Sequence, residues 1–120
     1  MDIYSETILD HYNHPRHRGQ LKQPTHTATE HNPLCGDVIR LDLKIQANTL
    51  TEIGFVGNGC AISQASASML ADYIADKKIA AVKKIKPKNV YSLLGVTISP
   101  ARINCALLGL RALQSCVKTR

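Results

Sequence analysis

The order of patterns along these 120 residues predicts an α+β fold, with one helix, then strands, then a run of helices. Three observations carry that prediction. From Val38 to Ile45 apolar and polar residues alternate, with Ile39, Leu41, Leu43 and Ile45 on one face and Arg40, Asp42 and Lys44 on the other. Ala47-Asn48 then reads as a turn that returns Thr49–Val56 antiparallel, Ile53 and Phe55 inward. Beyond Ala61 the apolar spacing is helical to the end of the chain.

Taken in order, residues Ile3 to Asn13 place Ile8, Leu9 and Tyr12 on one side of a helix that Pro15 and Gly19 terminate. The threonine-rich stretch Thr25–Glu30 is a further candidate strand. Helices are predicted for Ala61–Asp76, a short piece near Ile79–Ile85, Lys88–Leu94 behind Pro87, and Pro100–Lys118, where Ser99 fits an N-cap and Pro100 the first helical position. No repeat, low-complexity tract or linker interrupts the chain, so one domain over residues 1–120 is expected.

Composition narrows the function classes. With 44% hydrophobic and 20% charged residues the chain is ordinary globular protein. No stretch approaches the roughly 20 apolar residues of a membrane span, and Met1-Asp2-Ile3-Tyr4-Ser5-Glu6 lacks the basic-then-apolar start of a signal peptide. A cytoplasmic protein without membrane contact is expected, and in that reducing setting four cysteines read as ligands or reactive thiols rather than disulfides. The net charge of +6 would suit nucleic acid. Its distribution argues otherwise, because Lys77, Lys78, Lys83, Lys84, Lys86 and Lys88 cluster at one helix junction and aromatic residues total 4%, too few for base stacking. A solvated lysine face is the simpler reading.

Cys35, Cys60 and Cys105 carry the chemistry. Residues two apart on a strand point the same way, so Cys35 and Asp37 share a face, with Gly36 leaving the space between them open. That parity also aligns Asp37 with the buried Ile39 and Leu41, where a carboxylate needs a cation or donors. The alternative is an exposed strand end, with Asp37 in a turn hydrogen bond and Cys35 packed as a small hydrophobe. Cys60 follows the turn Gly57-Asn58-Gly59 and opens a helix, where unpaired N–H groups and the helix dipole favour a thiolate. A cysteine chosen for size is the competing account, given the crowd of small residues Ala61, Ser63, Ala65, Ser66, Ala67 and Ser68 behind it.

On a regular helix Ile103, Ala106, Leu107, Leu110, Leu113 and Val117 form one apolar stripe, and Cys105 points roughly 130° from its centre. Arg102 is placed to hold the Cys105 thiolate or a negatively charged cluster. Cys116 lies about 16 Å further along the helix, too far for the same small site, and is read as a packing residue. His11, His14 and His17 are read as surface histidines beside Arg16 and Arg18; His26 stays unassigned, and His31 is close enough to Cys35 to be a spare ligand.

Together, Asp10-His11-Tyr12-Asn13-His14-Pro15-Arg16-His17-Arg18-Gly19, Asn32-Pro33-Leu34-Cys35-Gly36-Asp37, the run Gly57 to Ser68, and Pro100-Ala101-Arg102-Ile103-Asn104-Cys105-Ala106 resemble the iron–sulfur cluster assembly proteins of the NifU N-terminal type, the IscU and SufU group. The resemblance implies a compact SufE/NifU-like α+β domain with a three-stranded antiparallel sheet packed against helices. It implies that Cys35, Asp37, Cys60 and Cys105 gather at one end and bind a [2Fe–2S] cluster or Zn²⁺. It further implies that one of the cysteines accepts persulfide sulfur from a cysteine desulfurase of the SufS or IscS type, and that sulfur or cluster passes to downstream apo iron–sulfur or carrier proteins.

IscU-type scaffolds have a histidine before the third cysteine and a proline-rich chaperone motif. Here Asn104 and Thr97-Ile98-Ser99-Pro100 stand in those places, so the resemblance does not extend to chaperone recognition. The motifs are SufU-like, but the SufU insertion between the second and third cysteines is missing. The chain is thus expected to be a scaffold or a zinc-dependent sulfurtransferase, with a structural zinc module that binds nucleic acid as the distant alternative, disfavoured because paired C-x-x-C spacing is absent. The basic segment Asp10–Gly19 is expected to form part of the desulfurase docking surface.

Overall fold

The computed structural model describes residues 5–34 and 36–118. Helix α1 (Glu6–Asn13) precedes strands β1 (His26–Asn32), β2 (Asp37–Gln46) and β3 (Thr49–Asn58). Helices α2 (Ala61–Ile74), α3 (Ile79–Val82), α4 (Pro87–Leu94), α5 (Ile103–Ala106) and α6 (Leu108–Val117) follow. The strands form one antiparallel sheet in the order β1-β2-β3, against which α2 and α6 pack.

The hairpin between β2 and β3 is set by local backbone chemistry. Gln46 pairs with Thr49, leaving a two-residue loop in which Ala47 and Asn48 both have positive φ, 50° and 63°. That geometry matches the right-handed twist of the flanking strands. It puts Ile39, Leu41, Leu43, Ile53 and Phe55 in the core, as the alternation predicts.

The other face of β2 departs from expectation, because Asp42 is buried. The segment after α1 pairs with the edge of β3 through Gly19 N–H to Phe55 O, then crosses behind the sheet to reach β1. There the Leu21 N–H and the Thr27 hydroxyl donate to the two Asp42 carboxylate oxygens, and Arg40 Nε adds a third bond at 3.0 Å. A long-range crossing of this kind leaves no trace in strand periodicity.

Helix α1 starts at an N-cap, Ser5, whose Oγ accepts from Ile8 N–H. The predicted residues Ile3 and Tyr4 lie outside the described residues. Of the predicted stripe only Ile8 is buried, whereas Leu9 and Tyr12 are largely exposed. The second anchor is His11, which is therefore not a free surface histidine: its Nδ1 lies 2.7 Å from Ser68 Oγ on α2. Arg16 N–H donates to the same oxygen at 2.8 Å, so Ser68 anchors both α1 and the segment after it to α2. Burial, reinforced by Arg16, lowers the His11 pKa.

The single helix expected over Pro100–Lys118 is instead a 3₁₀ turn at Pro100–Arg102 followed by α5 and α6, broken at Leu107 with φ −96° and ψ 0°. Ser66 Oγ donates to Ala106 O at 2.6 Å, taking an acceptor that a continuous helix would use itself. Just beyond, Gly109 lets α6 approach α2 so closely that a Cβ there would lie 3.3 Å from Ala67 Cα. The small residues of α2 thus serve helix packing.

Candidate metal and sulfur site

Three segments meet at one end of the sheet. Asp37 opens β2 directly opposite Asn32, the last residue of β1. Cys60 is the N-cap of α2 in extended conformation, and Cys105 lies in α5. The carboxylate of Asp37 and the sulfurs of Cys60 and Cys105 all lie within 4.8 Å of one another. They line a cleft of about 450 Å³ with Gly36, Gly59, Ala101 and Arg102.

The break in the last helix changes the status of Cys105. A regular helix would turn this residue away from the apolar stripe, yet Cys105 is buried, in the short helix α5 that the break at Leu107 separates from α6. Its burial is not simple packing, since Asn32 Nδ2 donates to Cys105 Sγ at 3.7 Å. Cys60 is half-buried, and its carbonyl accepts from Ser63 Oγ at 3.1 Å, tightening the first turn of α2.

Asp37 is the informative member. It is 4% exposed, and its Oδ2 is buried without a hydrogen-bond partner among the described residues. Leaving a buried carboxylate oxygen unpaired costs on the order of 1–3 kcal/mol or more. A carboxylate oxygen beside two cysteine sulfurs is the donor set of a thiophilic cation, so the residues fit Zn²⁺ or an iron of a [2Fe–2S] unit.

The glycine before Cys60 is required by this arrangement. A Cβ on Gly59 would come 2.7 Å from Asp37 Cγ and 2.5 Å from Ser63 Oγ. From sequence, Gly59 reads as part of a flexible turn and Ser63 as one of the small packing residues, and Asn32 has a place only in its motif, so none of the three is expected beside Asp37 or Cys105. The Gly57-Asn58-Gly59 turn was the available signal for the first; for the other two no local pattern exists.

Of the expected site residues, Arg102 borders the cleft and Cys35 lies outside the described residues. Cys116 packs as expected: its Sγ approaches Leu41 O at 3.7 Å, and burial, with Asp42 nearby, pushes its thiol up to about 12. None of the five histidines joins a group of three potential ligands among the described residues. His14 and His31 are exposed, His17 sits 3.3 Å from Asp72, and His26 contacts Thr25. In the Asp10–Gly19 segment Arg16 is engaged, bonding Asp10 at 2.6 Å and holding that carboxyl below its ordinary value. No helix among the described residues is long and apolar enough to cross a membrane.

This geometry has close counterparts. The zinc-dependent sulfurtransferase SufU of Bacillus subtilis is 35% identical, with 93% of this chain and 87% of that protein covered. The iron–sulfur cluster assembly scaffold protein IscU of Streptococcus pyogenes is 34% identical, covering 97% and 83%. Among solved structures, the SUF-system protein FiSufU of Fervidobacterium islandicum superposes with a TM-score of 0.82 at 25% identity over 97% of both chains. A NifU-like N-terminal domain from Brucella abortus gives 0.80 at 25% identity, covering 97% of this chain and 92% of that one. The NifU-like N terminal domain family matches residues 3–119, nearly the whole chain. From motifs, sheet topology and these matches together, the chain belongs to the NifU-like N-terminal domain family of iron–sulfur cluster assembly proteins.

Proposed function

We propose that this protein accepts persulfide sulfur from a cysteine desulfurase and scaffolds or relays a nascent [2Fe–2S] cluster, its cargo, to apo iron–sulfur or carrier proteins. The observation that carries this reading is the buried Asp37 oxygen, without a hydrogen-bond partner among the described residues, beside the sulfurs of Cys60 and Cys105. Cys35, two residues before Asp37, would complete a Cys₃Asp set in which the carboxylate is the hardest and most exchangeable donor. Such a set suits a cargo that must leave.

In the sulfur step a thiolate of this chain attacks the outer sulfur of the desulfurase persulfide. A new S–S bond forms here, and the desulfurase cysteine departs as its thiolate. Arg102, at the rim of the cleft, supplies positive charge where thiolate and persulfide charge collects. A zinc-dependent sulfur relay is the second reading, favoured by the 35% identity to the Bacillus sulfurtransferase. Free thiols used this way belong in a reducing, cytoplasmic compartment.

The test is to incubate the protein with an active desulfurase and cysteine and then measure intact mass. One or more added sulfurs on Cys35, Cys60 or Cys105, lost on reduction, are expected. No added sulfur, with the desulfurase shown to turn over in the same tube, sinks both readings. Anaerobic purification with absorption spectroscopy and metal analysis separates cluster from zinc.

A further inference from the structure

We infer that Asn32 is the positioning residue of this site, orienting the Cys105 sulfur towards Asp37 and Cys60 through an N–H···S hydrogen bond while its other atoms shape the turn into β2. The inference rests on the metal site proposed above and assigns it a supporting side chain. Asn32 is 5% exposed, so its carboxamide works in a dry setting. Its Nδ2 donates to Cys105 Sγ at 3.7 Å across 73 residues of sequence, and its Oδ1 accepts from Leu34 N–H at 3.3 Å. Its main-chain carbonyl accepts from Gly36 N–H at 2.8 Å, and its backbone faces Asp37 across the ladder.

One side chain therefore ties the segment that carries Cys105 to the one that leads into Asp37. Leucine or valine here would fill the same volume but leave Cys105 Sγ without this donor. A donor aimed at sulfur also withdraws electron density from it, which tunes a metal–thiolate bond. The amide is thus suited both to hold the rotamer of Cys105 and to moderate its donor strength.

Asn32→Ser separates the two duties, since a hydroxyl can still accept from Leu34 N–H but is too short to reach Sγ. On the full chain under reductant, zinc affinity is measured by competition with a chromophoric chelator, in the wild-type and Cys105→Ser backgrounds. Asn32→Ser should weaken zinc on the order of tenfold or more in the wild-type background and have no effect once Cys105 is gone. Cobalt loading gives a second readout: loss of the N–H···S bond raises the sulfur donor orbitals, so the thiolate-to-cobalt band of Asn32→Ser should move to lower energy.

Unchanged affinity and an unmoved band in folded Asn32→Ser would overturn the inference. So would an equal loss of affinity in both backgrounds, which would mark Asn32 as a residue of the fold only. If Cys105→Ser alone leaves zinc binding intact, the metal site itself fails and this inference with it. Should Asn32→Ser not fold, the wild-type chain still decides: its Asn32 side-chain amide proton should shift downfield on zinc binding, and an unmoved resonance would refute the assignment.

Discussion

Strand β2 carries two buried aspartates, each near a buried cysteine, and the two pairs behave in opposite ways. Asp42 has its oxygens filled by Leu21 N–H, Thr27 and Arg40, and the nearby Cys116 is a packing thiol pushed up to about 12. Asp37, five residues earlier, keeps Oδ2 without a partner among the described residues, and beside it stand Cys60 and Cys105 around an open cleft. Burial of a carboxylate and a thiol is common to both, so burial does not define a site. What separates them is satisfaction: protein donors finish one pair and leave the other open for an external cation.

The sharpest way to break this comparison is to exchange the cysteines. Cys60→Ser and Cys105→Ser should each weaken zinc binding enough that little metal or cluster survives desalting, whereas Cys116→Ser should load like wild type, as measured by metal content. Equal loading in all three would erase the distinction.

Next in size is the contrast between the carboxylates. Asp42→Ala strands Leu21 N–H, the Thr27 hydroxyl and Arg40, and should cost about 2–4 kcal/mol in denaturant unfolding while leaving metal binding intact. Asp37→Ala removes an oxygen that lacks a donor, so the metal-free protein should gain about 1 kcal/mol and its metal retention or cluster transfer should change. A loss of stability from Asp37→Ala would place it with Asp42 as a structural residue.

Gly59→Ala probes the same contrast from the backbone. Its methyl would displace the Asp37 carboxylate or the Ser63 hydroxyl, so a destabilisation of about 1–3 kcal/mol is expected, together with weaker zinc binding. Wild-type zinc affinity in this variant would show that the placement of Asp37 is not critical.

The smallest effect concerns the satisfied pair at high pH. Between the ordinary thiol value of 9.0 and about 12 the unfolded chain releases the Cys116 proton and the folded one keeps it. The folded state then binds more protons, so stability should fall as pH rises through that window. Cys116→Val should remove that part of the slope. Identical alkaline unfolding profiles would mean the thiol is not shielded.

Much of this was legible in the chain, and the reasons are local. Alternation over Val38–Ile45, the Ala47-Asn48 loop and the helical spacing after Ala61 act within a few residues of themselves, so their elements appear where expected. The candidate site was legible through motif order, since Cys35-Gly36-Asp37 and Gly59-Cys60 each occupy a short segment. The helical wheel failed for Cys105 because it assumes a continuous helix, and the helix breaks at Leu107, next to the Ala106 carbonyl that Ser66, forty residues away, takes as its acceptor. Likewise Asp42 read as solvent-facing until Leu21 crossed behind the sheet, and His11 read as exposed until Ser68 met it.

The sequence by itself determined the type and order of the main elements, the hairpin, and which residues have the chemistry to bind a thiophilic metal. Only the tertiary structure decided that Asp37, Cys60 and Cys105 converge, that Asn32 donates to one of the sulfurs, and that Asp42 is buried with both oxygens satisfied. The division follows from the range of the forces. Backbone propensity and periodicity are set by near neighbours, whereas whether a buried polar atom finds a partner depends on segments that only the folded chain brings together.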